Sequence, residues 1–286
     1  MKVTVKAPAK INLTLEITGR LPNGYHTVEM VMQAIDLTDT VSVQPGENGL
    51  SLTLSDPTLP VDEHNTVYKA AKLYCEAAGI RPDFRLKVTK NIPMQAGLAG
   101  GSADAAATLV ALNTLCDHRL SLEQLLEIGA AVGADVPFCL VGGTKLATGI
   151  GTTLSPLPAM PDGFIVVLKP AVGVSTAEAY RAVDAKTFER KTAEKMCRAL
   201  ESGNLAAVGR EMYNRFAEAM PITDVETLVS RLEELGALGA CMTGSGSAVV
   251  GLFDTESAAK TAEQALKSLC QQTAVCSPCS TGPIVV

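Results

Sequence analysis

The sequence predicts an α+β fold built in two units, on three observations. Alternating apolar and polar runs fill residues 2–54, whereas helical periodicity takes over from Asn65. A proline-rich stretch, Pro156-Leu157-Pro158-Ala159-Met160-Pro161, then interrupts the chain near its middle. Beyond it the order starts again, with one strand followed by helices. Strands and helices segregate in this way in α+β proteins, whereas a doubly wound sheet alternates them. The expected division is 1–158 and 159–286.

Each element has a local reason. Residues 2–9, 11–18, 27–36, 39–45 and 50–54 read as strands, separated by turns at Leu21-Pro22-Asn23-Gly24 and Gly46-Glu47-Asn48-Gly49. Asn65 opens a helix that runs to about Ala78. A strand is expected over 84–90, and Pro93 ends it. Helices follow over 102–116 and 121–132, then a Gly- and Thr-rich hairpin over 142–154. The second unit begins with a strand at Phe164–Lys169 and continues with several helices between Thr176 and Leu235. Two short strands, Gly239–Met242 and Ala248–Phe253, precede an amphipathic helix from Glu256 to Leu269, and the remainder reads as a Pro/Ser/Gly tail.

Composition narrows the function. The chain has 286 residues, enough for two modest cores, and its net charge of -6 argues against a nucleic-acid or anionic-membrane surface. No apolar stretch approaches bilayer length, and the first residues alternate like a strand with no signal-peptide core. A cytoplasmic protein acting on a small molecule, as a monomer or weak homodimer, is expected. Cys75, Cys116, Cys139, Cys197, Cys241 and Cys270 sit singly in apolar or helical patterns, as buried free thiols do. Cys276 and Cys279 form a lone C-x-x-C with no second pair and no nearby histidine, which favours incidental thiols over a metal or redox site. His64 and His118 show no ligand spacing.

The most informative segment is the loop Pro93, Met94, Gln95, Ala96, Gly97, Leu98, Ala99, Gly100, Gly101, Ser102 and Ala103, which feeds an Ala/Leu helix. Gly97, Gly100 and Gly101 allow close backbone approach, and Ser102 is placed to cap the helix. Ala105, Leu109, Leu112 and Cys116 then recur at helical spacing. Unpaired N–H groups and the positive end of the dipole make a helix N-terminus an anion site, and a nucleotide phosphate is the natural anion. A plain connector is the alternative. The loop has neither the Lys-Ser/Thr of a Walker A motif nor the spacing of G-x-G-x-x-G.

Three further segments accompany it: PAKINLTL (Pro8–Leu15), GADVPF (Gly133–Phe138) and MTGSGSAVVGLF (Met242–Phe253). In this order and over nearly the whole chain, the four motifs resemble the GHMP kinase superfamily. The resemblance implies an N-terminal ribosomal-protein-S5-domain-2-like domain, a C-terminal ferredoxin-like α+β domain, and use of ATP with Mg²⁺. K-I-N-L in the first motif, Gly24-Tyr25-His26, G-A-D-V-P-F and the chain length are most similar to the branch acting on diphosphocytidyl methylerythritol. That branch implies phosphorylation of the 2-hydroxyl in the non-mevalonate route to isoprenoid precursors. A mevalonate- or phosphomevalonate-type kinase, or a catalytically silent sensor on the same fold, is the alternative.

The resemblance also assigns roles. Asp135 becomes the base that takes the hydroxyl proton, and Lys10 its cationic partner, although by spacing alone a strand lysine is more often a solvated edge residue. Asn12 shares the strand face of Lys10 and is placed to bond the substrate or Asp135. Residues 93–103 wrap the ATP phosphates, with Ala96 and Ala99 where many relatives carry glycine. Ser102 is a phosphate contact, a Mg²⁺ ligand or simply the N-cap; Asp104 either steadies the empty helix or approaches Mg²⁺. Gly244, Ser245 and Gly246 form a second glycine turn that closes the site from the second domain. Tyr25 stacks on the cytosine, His26 bonds its edge or stabilises the pocket, and Tyr180 covers the opposite face. For Tyr180 an ordinary helix-start contact is the alternative.

Overall fold

The structure is a computed structural model describing residues 1–286. Strand β1 (Val3–Arg20) and strand β2 (His26–Pro45) form one long antiparallel hairpin. Each was expected as two strands. The ladder instead runs through register shifts at Pro8/Ala9, Asn12/Thr14 and Ile17/Gly19, so bulges absorb the breaks in alternation that read as strand ends. Strand β3 (Ser51–Leu54) leads to helix α1 (Thr66–Ala78), where the Asn65 side chain accepts from the Val67 N–H at 2.9 Å. Strand β4 (Phe84–Thr89) inserts between β2 and β3.

Helix α2 (Gly100–Leu115) follows the glycine loop, then helix α3 (Leu122–Val132) with a Ser121/Gln124 capping box. The short helix α4 (Val136–Val141) was not foreseen; Pro137 in its first turn is tolerated there because no N–H is needed. Strands β5 (Thr144–Thr148) and β6 (Thr153–Pro156) make the expected hairpin, and β5 pairs with β2. Helix α2 packs on β1, β2, α1 and α4. Its alanines let it be buried on nearly every side, from Ala103 through Ala107 to Ala111.

The second lobe begins with strand β7 (Phe164–Lys169), then helices α5 (Thr176–Asp184), α6 (Glu194–Glu201) and α7 (Leu205–Arg210). A two-residue strand, β8 (Tyr213–Asn214), pairs parallel with β1, and helices α8 (Arg215–Ala219) and α9 (Thr223–Glu234) follow. Strands β9 (Gly239–Met242) and β10 (Val249–Phe253) precede helix α10 (Glu256–Leu266), which ends in a 3-10 turn over Lys267–Leu269.

The segment expected to be a tail is strand-forming. Strand β11 (Gln272–Cys276) pairs with β7, completing a four-stranded sheet in the order β11-β7-β10-β9. Strands β12 (Pro278–Cys279) and β13 (Ile284–Val285) then pair with β2 and β1 of the first lobe. These strands were hidden because each is only two residues long and apolar alternation cannot show in so short a run. A Cβ on Gly142 (φ +60°) would overlap the Thr281 backbone, so that glycine is where the returning chain lies against α4's end.

A buried ion pair fixes β1 to the second lobe. Arg215, 2% exposed, donates from Nε to Glu16 Oε1 at 2.8 Å and from Nη2 to Glu16 Oε2 at 2.6 Å. Its Nη2 also reaches the Glu189 carbonyl at 2.8 Å, and the Lys191 N–H donates to Glu16 at 3.0 Å. A bidentate fork of this kind is favourable in place, but removing one partner strands a charge in the interior. Glu16→Ala is therefore expected to lower unfolding free energy by about 3–5 kcal/mol, read from urea denaturation, with Glu16→Gln falling between it and the parent.

Candidate active site

The cation at the centre of the site sits in an otherwise apolar strand. Lys10 is 4% exposed, between Ala9 and Ile11, and an unpartnered ammonium there would be costly. Its Nζ donates to Asn12 Oδ1 at 2.8 Å and lies 3.8 Å from Asp135 Oδ2. Asn12 Oδ1 also accepts from the Gly244 N–H at 3.1 Å, and the Asn12 N–H donates to Thr243 Oγ1 at 2.9 Å. One carboxamide thus joins the β1 lysine to the second-lobe glycine turn. Asp135 stands between α3 and α4, and its carboxylate makes no capping bond. It is one-third exposed and free to face the cleft.

The glycine loop is held from several sides. The Lys10 N–H donates to the Leu98 carbonyl at 3.1 Å, and the Ala248 N–H donates to Ala96 at 3.3 Å. Gly97 (φ +74°) has no room for a Cβ, which would overlap the Thr243 carbonyl. Its close approach is thus to the second glycine turn, where a ligand had been expected. Asn214 completes this junction: its Nδ2 donates to the Met242 and Gly244 carbonyls at 2.7 and 2.8 Å. Ser102 is not the cap of α2, which starts earlier, at Gly100, after Ala99 in the left-handed region (φ +56°). The cap role goes unfilled by any side chain, and Ser102 opens onto the cleft beside Asp135.

Two cavities meet at this loop. One, of about 370 Å³, is lined by residues 92–101 together with His64, Asn65, Thr66, Lys90 and Asp104. The other, of about 710 Å³, has Lys10, Asn12, Ser102 and Asp135 at one part and Tyr25, His26 and Tyr180 at another, with Gly244 and Ser245 alongside. Gly97 and Ala99 line both. The loop is therefore the wall between a nucleotide-sized cavity and a longer cleft, with the Lys10–Asp135 pair on the cleft side.

The aromatic groups are arranged differently from a simple sandwich. Tyr25 is 63% exposed on the β1–β2 turn, while Tyr180 stacks on His26 with centroids 4.3 Å apart and meets the edge of Phe216 at 4.9 Å. Burial, with help from the Asp135 charge, raises the Tyr180 phenol above its ordinary value. His26 Nε2 is 2.7 Å from Asp184 Oδ1. Sequence reasoning missed Asp184, for nothing in the chain between Tyr180 and Asp184 marks that carboxylate as facing the distant hairpin.

It also missed the ion cluster under the loop. Lys90 bridges Asp39 and Asp104, the latter at 2.6 Å, and Asp39 accepts from the Asn91 and Ile92 N–H groups at 2.5 and 2.8 Å. Asp104 is 4% exposed and its Oδ1 has no partner. Burial, and the neighbouring Asp39, push the Asp104 carboxyl up to about 8, against the pull of Lys90. Burial disfavours the Lys90 ammonium, but Asp104 and Asp39 outweigh it and raise its value. The cluster anchors the start of the loop to β2 and α2. Among the cysteines, Cys276 is buried and Cys279 half-buried, both as free thiols, and no group of three metal-binding side chains exists. No helix is long and apolar enough to cross a membrane.

A glycine loop at a helix start, a lysine–aspartate pair and a cleft between two lobes are the arrangement that a small-molecule phosphotransferase requires. Residues 65–143 match the GHMP kinases N terminal domain family, and residues 196–272 match the GHMP kinases C terminal family. A 4-diphosphocytidyl-2-C-methyl-D-erythritol kinase of Geobacillus kaustophilus is 40% identical over 276 residues, covering 95% of each chain. A crystal structure of 4-(cytidine 5'-diphospho)-2C-methyl-D-erythritol kinase superposes with a TM-score of 0.82 at 33% identity, over 97% of this chain and 99% of the other. A homoserine kinase from Cytophaga hutchinsonii shares the fold, with a TM-score of 0.80 at 22% identity over 100% and 97% of the two chains. The chain belongs to the GHMP kinase family, and its architecture is the two-domain fold of that family.

The ion cluster makes a pH prediction. The folded-state value of Asp104 lies above the unfolded one, so the group's stabilising contribution is complete below the ordinary aspartate range and is lost as pH rises through about 8. Urea midpoints measured from pH 5 to 9 are expected to fall with pH in the parent and to fall less in Asp104→Asn.

Proposed function

We propose that the chain transfers the γ-phosphoryl group of ATP to the 2-hydroxyl of 4-diphosphocytidyl-2-C-methyl-D-erythritol, a step of the non-mevalonate route to isoprenoid precursors. The observation that carries this reading is the Lys10–Asp135 pair, 3.8 Å apart, on a cleft that also holds Tyr25, His26 and Tyr180. The names of the relatives support the choice of acceptor.

In this reading Asp135 accepts the proton of the acceptor hydroxyl as its oxygen attacks the γ-phosphorus. The bond from that phosphorus to the β–γ bridging oxygen breaks, ADP leaves, and the proton passes later from Asp135 to solvent. Such transfers need little covalent help from the protein, so positioning and charge dominate. Lys10 offsets charge on the transferring group beside Asp135, while Asn12 holds Lys10 in place. Residues 93–103 hold the phosphates through backbone N–H groups at the start of α2. The glycine turn at Gly244, Ser245 and Gly246 closes the cleft from the second lobe.

Magnesium would find one hard oxygen donor at the start of α2 that opens onto the cleft, the Ser102 hydroxyl, with phosphate oxygens and water to complete its set. The ion supplies neutralisation of phosphate charge. At the far end of the cleft, exposed Tyr25 offers a free ring face for the cytosine, and Tyr180 and His26 form the wall opposite. A cytoplasmic location, and action as a monomer or weak homodimer in two lobes divided near residue 158, accompany the proposal.

Incubation with MgATP and a panel of acceptor alcohols, followed by ADP release, tests it. Turnover is expected with the cytidine-linked acceptor; equal turnover of mevalonate or of free methylerythritol phosphate would reassign the chain within the family. Asp135→Asn keeps shape and removes the base, so kcat is expected to fall by roughly 10²–10⁴ with ATP binding intact. Tyr25→Ala is expected to raise KM for the cytidine-linked acceptor by an amount worth about 1–3 kcal/mol while the KM for ATP stays in place.

A further inference from the structure

We propose that Asn214, buried away from the cleft, is a positioning residue for phosphoryl transfer: it aims the Gly244 N–H at Asn12 and thereby fixes the Lys10 ammonium. The inference deepens the reading above, because it rests on the role given there to Lys10, and it holds for any acceptor. Asn214 is 3% exposed and lines neither cavity. It lies in β8, whose register with β1 sets it beside Leu15, further along the strand that carries Lys10 and Asn12. Its Nδ2 donates to the Met242 carbonyl at 2.7 Å and to the Gly244 carbonyl at 2.8 Å, and its Oδ1 accepts from the Phe216 N–H at 2.9 Å. Two acceptors at one end and one donor at the other leave a single orientation for the amide.

Gly244 needs such a grip. Its φ is +56°, and a glycine visits that region about as readily as its mirror image, so hydrogen bonds decide the conformation. A Cβ there would stand 2.7 Å from Gly97, so no larger residue can stiffen the turn. Held by its carbonyl, Gly244 donates its N–H to Asn12 Oδ1 at 3.1 Å, and the same oxygen takes the Lys10 ammonium at 2.8 Å. Asn12 Nδ2 meets only the Met30 sulfur, a weak acceptor, at 3.1 Å. The two donors to Oδ1 therefore decide which way round the Asn12 amide stands. The circuit leaves β1 at Asn12 and returns to β1 at Leu15 through Gly244, Asn214 and β8. Without the Asn214 donors the Gly244 peptide is free to turn, Asn12 loses one of those two donors, and Lys10 loosens beside Asp135.

The test is steady-state kinetics with MgATP and the alcohol that the parent turns over, on Asn214→Ser, Asn214→Asp, Asn214→Ala, Asn12→Ala and the Asn12→Ala/Asn214→Ser double variant. Circular dichroism confirms that each is folded at the assay temperature. Serine and aspartate keep an oxygen able to cap α8 but lack the paired N–H groups of the carboxamide. In Asn214→Ser and Asn214→Asp kcat is expected to fall roughly tenfold, while KM for ATP stays within about twofold, since first-lobe residues alone line the nucleotide cavity. With Asn12→Ala already present, Asn214→Ser should lower kcat by less than about twofold, because the route to Lys10 is cut. If Asn214 only caps α8, the serine and aspartate variants will keep the parental kcat and Asn214→Ala will lose thermal stability alone, which overturns the proposal. Losses that multiply in the double variant overturn it as well. Asn214→Asp takes the place of Asn214→Ser in the cycle should the latter not fold. A parent that turns over a different alcohol overturns the acceptor reading alone, and the cycle then runs on that alcohol; a parent inert toward every alcohol overturns both.

Discussion

A single buried ammonium organises this protein. Lys10 is placed in the middle of an apolar strand, where it is tolerable only if oxygen atoms meet it. Those oxygens come from two parts of the fold, Asn12 on the same strand and Asp135 from the α3–α4 junction, and the Asn12 oxygen is in turn fixed by the Gly244 N–H of the second lobe. Each of those segments has to arrive in register for the charge to be satisfied. Demand for a partner to one cation is thus also a demand on lobe docking. Lys10 and Asn12, two positions apart in continuous register on the long β1–β2 hairpin, lie on one face of the pleat and so share one pocket.

The glycine loop obeys the same logic from the opposite side. Gly97 is pressed against Thr243, the Leu98 carbonyl takes the Lys10 N–H, and the Asp39–Lys90–Asp104 cluster anchors the loop's root. Rigid placement of this kind suits phosphoryl transfer, where catalysis consists mostly of holding charges and atoms in line. The cluster carries one cation for two buried carboxyls, and the unpartnered Asp104 oxygen shows where the balance is incomplete.

Legibility in the sequence followed interaction range. Asn65 at the start of α1, β4, α3 and the β5–β6 hairpin were all readable because residues a few positions apart decide them. Lys10, Asn12 and Asp135 could be singled out because a charge in an apolar strand and an acid after Gly133-Ala134 stand out locally, and family resemblance joined them. The start of α2 was misplaced by two residues because Ser102 is a good cap in isolation, while the packing of Gly97 against the second lobe and the left-handed turn at Ala99 fix the true start. The C-terminal strands β12 and β13 carry almost no pattern of their own and exist through edges offered by β1 and β2. Asp184 and Asp39 were invisible for the same reason, since each acquires its meaning from a residue far away in the chain.

The two cavities divide the work in a way that explains where variation can enter. The nucleotide-sized cavity is lined wholly by first-lobe residues, from Leu54 to Asp104. The acceptor cleft draws on both lobes, with Thr176, Tyr180 and Phe216 from α5 and α8 facing the β1–β2 hairpin. A change in α5 therefore alters what fits beside His26 without touching Lys10, Asp135 or the loop. The lobes are joined rigidly at Glu16–Arg215 and at the Asn12–Gly244 contact, whereas the Asp184 contact at the hairpin tip is one-third exposed. Exposed ion pairs contribute little to stability, so the tip contact adds less to lobe docking than the buried joints do.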